Sequence, residues 1–129
     1  MTTALPDKVR KLLDGPTFVV VTTVNADGSP QSTVVWVKRD GDDILFSTVR
    51  GRKKTRNMER DPRISICAYD PEQPYSYFTV DGSVALVEEG GKELINELSL
   101  KYDGQPYTFD PPEAVRVVCR LTPRKVISQ

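Results

Sequence analysis

The sequence contains no histidine. That absence excludes Ser-His-Asp and Cys-His catalysis, histidine-ligated zinc and ordinary haem ligation. Cysteine is scarce as well: Cys67 and Cys119 form no CxxC pair, so a cysteine-based structural zinc site is excluded too, and no metal is expected. Long apolar runs are missing. The stretch Phe18-Val19-Val20-Val21 is far short of a membrane span, and the first residues carry no apolar core of a secretory signal. Net charge is lacking, with 18 Lys and Arg against 18 Asp and Glu, so bulk attraction to nucleic acid is not built into the chain. Chemistry at neutral pH must then come from a bound cofactor, or from carboxylates, tyrosines and lysines. Both cysteines lie in strand-like segments and are expected to be free, buried thiols of a cytoplasmic protein.

What is present reads as one globular domain of 129 residues. Residues 6–14 have the apolar spacing of a short amphipathic helix, with Val9, Leu12 and Leu13 on one face. Residues 17–24 are dense in β-branched side chains and predict a strand buried on both faces. Asn25-Ala26-Asp27-Gly28 marks a turn, and residues 30–39 predict a second strand paired with the first as a hairpin. A tight turn at 40–43 leads to a third strand at 44–48. Residues 51–60 are polar, rich in helix formers, and stopped by Asp61-Pro62. A fourth strand is expected at 63–69, where Ile64, Ile66 and Ala68 alternate with Arg63, Ser65 and Cys67. After a proline-bounded loop at 70–74, residues 76–87 predict a long strand kinked at Asp81-Gly82. A second amphipathic helix spans 92–102, a Pro/Gly-rich loop 103–112, and a sixth strand 115–121, with 125–128 as its extension beyond Pro123. Six or seven short antiparallel strands with flanking helices predict a mainly β fold, a closed or nearly closed barrel.

One local feature stands out. Between Arg50 and Arg63 lie seven cations, Arg50, Arg52, Lys53, Lys54, Arg56, Arg60 and Arg63, against Glu59 and Asp61, a local net charge of +5 in a neutral chain. The run follows a strand ending in Ser47-Thr48 and enters a helix, whose first N–H groups and dipole favour an anion. Hydroxyls at Ser47, Thr48 and Thr55 add donors, arginine offers a bidentate fork and lysine a point charge. Such a run also occurs as a plain solvated helix face. Nucleic-acid binding is disfavoured by zero net charge and by the lack of interleaved aromatics. The reading that uses all these groups is a phosphate carried by a small ligand.

With these elements in order, the sequence resembles the flavin/deazaflavin oxidoreductases of the split β-barrel type. These form the pyridoxamine 5′-phosphate oxidase superfamily, and the resemblance points to its branch of small enzymes using coenzyme F420. It covers residues 7–127 and rests on the hairpin at residues 27–31, the basic run at residues 52–57 and Asp61-Pro62-Arg63. It implies a homodimer with cofactors in clefts between subunits. Arg52 and Lys54 would hold the cofactor phosphate, assisted by Ser47, Thr48 and Lys53. Gln31, Ser32 and Thr33 would lie along the tricyclic ring, and Tyr75 and Tyr77 would approach from the partner subunit. The expected activity is hydride transfer between F420 and a small conjugated or heterocyclic substrate. FMN is the alternative coenzyme, and a non-catalytic flavin or F420 carrier the alternative role. Neither nucleic acid nor membrane is an expected partner. Catalytic side chains are not identified by the resemblance.

Departures from the wider superfamily matter. Arg120, Leu121 and Pro123 match only loosely the C-terminal segment with which vitamin B6 oxidases grip substrate phosphate, and haem-degrading members use a histidine that this chain lacks. Trp36 is open between barrel packing, a dimer contact and pocket lining, and Asn57 between a backbone and a cofactor contact.

Overall fold

A computed structural model describes residues 3–129. Three helices and seven strands follow in the order α1 (Asp7–Asp14), β1 (Val19–Val24), β2 (Pro30–Val35), β3 (Val37–Asp40), β4 (Asp43–Val49), α2 (Lys53–Arg60), β5 (Arg63–Asp70), β6 (Gln73–Val87), α3 (Gly91–Asp103) and β7 (Arg116–Ser128). All strand pairs are antiparallel, and the sheet order is β2-β1-β5-β6-β7-β4-β3.

The expected single strand at 30–39 is in fact two. β2 pairs with β1 at one edge of the sheet, whereas β3 pairs with β4 at the other. Only Trp36 separates them, so the two edges must come within one residue of each other. The sheet therefore curls into a split β-barrel. Val19, Val21, Phe46, Ile66, Phe78, Val80 and Leu121 fill the interior, each fully buried. Each such side chain contributes about 1.5–3 kcal/mol of hydrophobic stabilisation.

The first strand also departs from expectation. β1 alternates, with Val19, Val21 and Thr23 buried while Val20 is 39% exposed, so one face meets the core and the other faces outward. The same alternation turns Cys67 outward on β5, against the expected buried thiol; Cys119 is buried as expected. The segments 115–121 and 125–128 are one continuous strand, β7. Pro123 is accommodated opposite Gly82, where the β6 register shifts at Asp81/Gly82, the kink anticipated in sequence. Gly82 has no room for a side chain, because an added Cβ would lie 2.1 Å from the Thr122 carbonyl oxygen. The 70–74 segment is a tight turn rather than a loop, with β6 already under way at Gln73.

α1 packs Val9 and Leu13 onto the barrel. α3 packs Leu94 and Leu98 against Leu45, forming a second small core with Trp36, Tyr102 and Val118. No helix of the described residues is long and apolar enough to cross a membrane.

Candidate functional site

The basic run is built as the sequence suggests, a strand handing over to a helix. β4 ends at Val49, Gly51 adopts φ 94°, and α2 begins at Lys53 with Arg52 as an extended N-cap residue. Among the described residues no side chain caps this helix, so its first-turn N–H groups are left for another partner. The helix is fixed to the barrel by hydroxyls. Thr55 donates to the Val49 carbonyl at 2.7 Å, and the Thr48 and Thr55 hydroxyls lie 2.8 Å apart, both residues fully buried.

Beside this corner lies a cavity of about 370 Å³. One wall is apolar: Phe18, Val34, Trp36, Ile95 and Leu98. The other is cationic and polar: Arg52, Lys54, Arg116, Ser47 and Tyr107. Lys54 donates to the Thr33 hydroxyl at 3.2 Å. Burial, reinforced by the charges of Arg52 and Arg116, pushes its ammonium below the ordinary lysine range. No carboxylate pairs with Arg52 or Lys54 among the described residues. A half-buried cation without a counter-ion is a costly arrangement, which an anionic ligand would relieve.

Arg116, at the start of β7, is the group that sequence reasoning missed. Its side chain is 4% exposed. It clasps Asp110 through Nε (2.7 Å) and Nη2 (2.8 Å), and donates to the Tyr107 hydroxyl (2.9 Å) and the Ser47 hydroxyl (3.3 Å). The guanidinium also lies 4.8 Å from the Tyr107 ring centre. The Arg116 hydrogen bonds hold the Asp110 carboxyl below its usual range, and Asp110 and Tyr107 outweigh burial in raising the Arg116 pKa. The signals in sequence were an Asp just before Pro111-Pro112 and an Arg four residues after them, too common a pattern to single out.

The structure sorts the residues singled out in sequence. Arg52, Lys54 and Ser47 line the cavity, and Thr33 joins them through Lys54. Gln31 shares the Thr33 face of β2 and bonds within a polar cluster under α2. Ser32 lies on the opposite face, 2.8 Å from the Thr22 hydroxyl. The Thr48 hydroxyl is spent inside, on Thr55. Lys53 is exposed on α2, close enough to Asp27 to favour its ionised form. Tyr75 (90% exposed) and Tyr77 (37%) stand on the outer part of β6, away from this chain's own cavity lining. Trp36 lines the cavity and stacks on Tyr102 at 5.4 Å, so it both packs and lines. The Asn57 side chain contacts four others, Thr23, Asn25, Gln31 and Arg60, rather than backbone. Burial pushes the Cys119 thiol up to about 12, which removes it as a nucleophile.

A larger groove, about 580 Å³, runs over Thr22, Ser65, Asp81, Arg63 and Arg124 on the outer face. It mixes charges of both signs, Arg63 and Arg124 against Asp81, with the apolar side chains of Val24 and Ile64.

A curled seven-stranded sheet with a cationic strand-to-helix corner beside an apolar slot defines a split-barrel protein of the flavin-binding class. Residues 5–129 match the model of the pyridoxamine 5′-phosphate oxidase family, and the chain belongs to that family. Two curated relatives, both pyridoxine/pyridoxamine 5′-phosphate oxidases, are similar over part of the chain. The protein of Acidothermus cellulolyticus is 38% identical over 63 residues, and that of Aeromonas hydrophila 46% over 57 residues. Those matches take in 49% and 43% of this chain but only 28% and 26% of the relatives' length. Among solved structures, an F420 reductase superposes with a TM-score of 0.86 at 31% identity, covering 97% of this chain and all of the other.

Proposed function

We propose that this protein is an F420H2-dependent reductase, one split-barrel domain per chain, acting in the cytoplasm on a small conjugated or heterocyclic substrate. The observation that carries the reading is the pairing of Arg52 and Lys54, cations without a described carboxylate partner, with an apolar-walled cavity of about 370 Å³. The likeness to an F420 reductase along the whole chain supports the same coenzyme.

In this reading Arg52, Lys54, Ser47 and the free N–H groups at the start of α2 hold the ribityl phosphate. Lys53 and Arg56, exposed on α2, face the anionic tail beyond it. Gln31 and Thr33 meet the polar edge of the ring. The bound coenzyme supplies the hydride, and the chain supplies position, an apolar wall and electrostatics. Phe18, Val34 and Trp36 exclude water from the reacting face, which limits loss of the hydride equivalent to solvent.

A homodimer completes the reading. Cross-strand neighbours Val34, Val20, Cys67, Thr79 and Ile127 form one row across five strands, with Val34, Val20, Cys67 and Ile127 exposed and Tyr69 and Tyr77 paired beside it. An apolar row of this extent suits a partner subunit, and would bring Tyr77 and Tyr75 toward the partner's site.

FMN is the second reading, in keeping with membership of the pyridoxamine 5′-phosphate oxidase family. Side-by-side titration of the pure protein with F420 and FMN separates the two. Tight F420 binding, followed by substrate-dependent oxidation of F420H2, is the expected result. A yellow protein absorbing near 450 nm would select FMN, and binding without turnover would select a carrier.

A further inference from the structure

The polarity of one buried amide cluster is set by an arginine outside the cavity. Asn57 is 3% exposed. Arg60 donates through Nη2 to its Oδ1 at 2.9 Å, and to the Val24 carbonyl at 2.8 Å. A guanidinium has no acceptor, so the Asn57 oxygen must face Arg60 and its Nδ2 must face the other way. There Nδ2 meets three acceptors: the Asn25 Oδ1 (2.9 Å), the Thr23 hydroxyl (3.0 Å) and the Gln31 Oε1 (3.3 Å). The Thr23 hydroxyl also donates to Gln31 Oε1, at 3.4 Å. A flipped Gln31 would set its own N–H groups against the Asn57 donors. The chain of polarity from Arg60 therefore decides the orientation of Gln31.

The result is a glutamine with its oxygen turned inward. Among the described residues no protein acceptor meets Gln31 Nε2. Gln31 lies on the same face of β2 as Thr33, the Lys54 partner, and Val35, a cavity-lining residue. We propose that Arg60 and Asn57 are positioning residues that lock Gln31 as a two-hydrogen donor. The ligand edge along β2 must then offer acceptors only, a carbonyl oxygen or a deprotonated ring nitrogen. The proposal rests on the coenzyme reading above for the identity of that edge, but the relay itself is a property of the free protein.

Two measurements test it. Arg60 is exposed at the last turn of α2, so Arg60→Leu keeps the fold. In the ligand-free protein, the Gln31 side-chain amide gives one pair of ¹H–¹⁵N resonances, and Arg60→Leu is expected to split or broaden it. An unchanged pair overturns the relay whether or not either coenzyme binds. The second is a double-mutant cycle on F420 and FMN affinity with Arg60→Leu and Gln31→Ala. Arg60→Leu alone should weaken coenzyme binding about three- to tenfold. In the Gln31→Ala background the loss should shrink below about twofold, whereas a purely electrostatic role of Arg60 would persist there. Gln31→Glu keeps an inward acceptor but cannot donate, and should cost at least about tenfold in coenzyme affinity. Equal losses in both backgrounds, or full coenzyme binding by Gln31→Glu, overturn the proposal. Failure of the native protein to bind either coenzyme defeats the coenzyme reading instead, with the resonance test still deciding the relay.

Discussion

The Lys54 ammonium stands 3.2 Å from the Thr33 hydroxyl, so a cation of α2 is held against edge strand β2 by a neutral partner. A charge kept this way favours an incoming anion, since no internal carboxylate has to be displaced. Replacing both Arg52 and Lys54 by Ala should weaken coenzyme binding by about 1.5–3 kcal/mol for each charge-assisted hydrogen bond lost. The salt dependence of binding should flatten as well. Titrations at two ionic strengths check both outcomes, and normal binding with an unchanged salt slope would remove the corner from the site. Arg52 is exposed while Lys54 is half-buried, so Lys54→Met, which keeps the stem, is the better single variant.

Arg116 and Asp110 fasten the segment at residues 104–115 to β7, and the Tyr107 N–H ties it to α3 through Asn96 Oδ1 at 3.1 Å. Arg116→Ala leaves Asp110 and Tyr107 without their donor and should destabilise the fold by about 3 kcal/mol, the low end for a buried pair because Asp110 keeps contact with water. Urea unfolding measures this. Limited proteolysis should then cut within residues 104–115 before the barrel is attacked.

Asp61 is held at about 2 by the hydrogen bonds and charge of Arg63. In the folded chain its carboxylate form is favoured, so near pH 3 the unfolded chain binds more protons and stability rises with pH. The contribution is complete above the ordinary aspartate value of 3.8 and is lost as pH falls toward 2. Asp61→Asn should flatten the acid limb of a melting-temperature profile in that window, and an unchanged limb would show that Asp61 does not shape it.

Gly82→Ala would force a methyl against the Thr122 carbonyl, 2.1 Å from the ideal Cβ position. The β6–β7 pairing must give way, at a cost of about 3 kcal/mol. Thermal unfolding checks the loss, and the substitution at exposed Gly28, with nothing within 4 Å but φ 89°, should cost less.

Val20→Lys places a charge in the middle of the outward apolar row while leaving the inward face of β1 untouched. Sedimentation should show a shift from dimer to monomer with the fold retained. A native protein that sediments as a monomer at micromolar concentration would rule out this face as the subunit contact.

Much of the fold was legible in local signals. The helix at Asp7–Asp14, the basic helix after β4, the alternating strand at Arg63–Asp70 and the kink at Asp81-Gly82 each follow from side-chain period, turn chemistry or a breaker within a few residues. The division at Trp36 was not, because Val35, Trp36 and Val37 read as one β-run and only their pairing partners differ. Alternation was likewise hidden in β1, where valines occupy both faces. Of the site, the cations of the 50–63 segment were visible as a charge cluster. Arg116, Asp110 and Tyr107 were not, since an isolated arginine at a strand start carries no signal of what it will clasp.

The amino-acid sequence alone determined the chemistry on offer: no histidine, a neutral chain and a concentrated run of cations at a strand-to-helix junction. Only the tertiary structure decided which of those cations lack a counter-ion among the described residues, which hydroxyls are spent internally and which way the buried amides of Asn57 and Gln31 are turned. Composition and period are local properties, but burial and hydrogen-bond polarity depend on groups brought together from distant parts of the chain. Arg116 meets Ser47, and Asn57 meets Gln31, only because the curled sheet and α2 place them within reach.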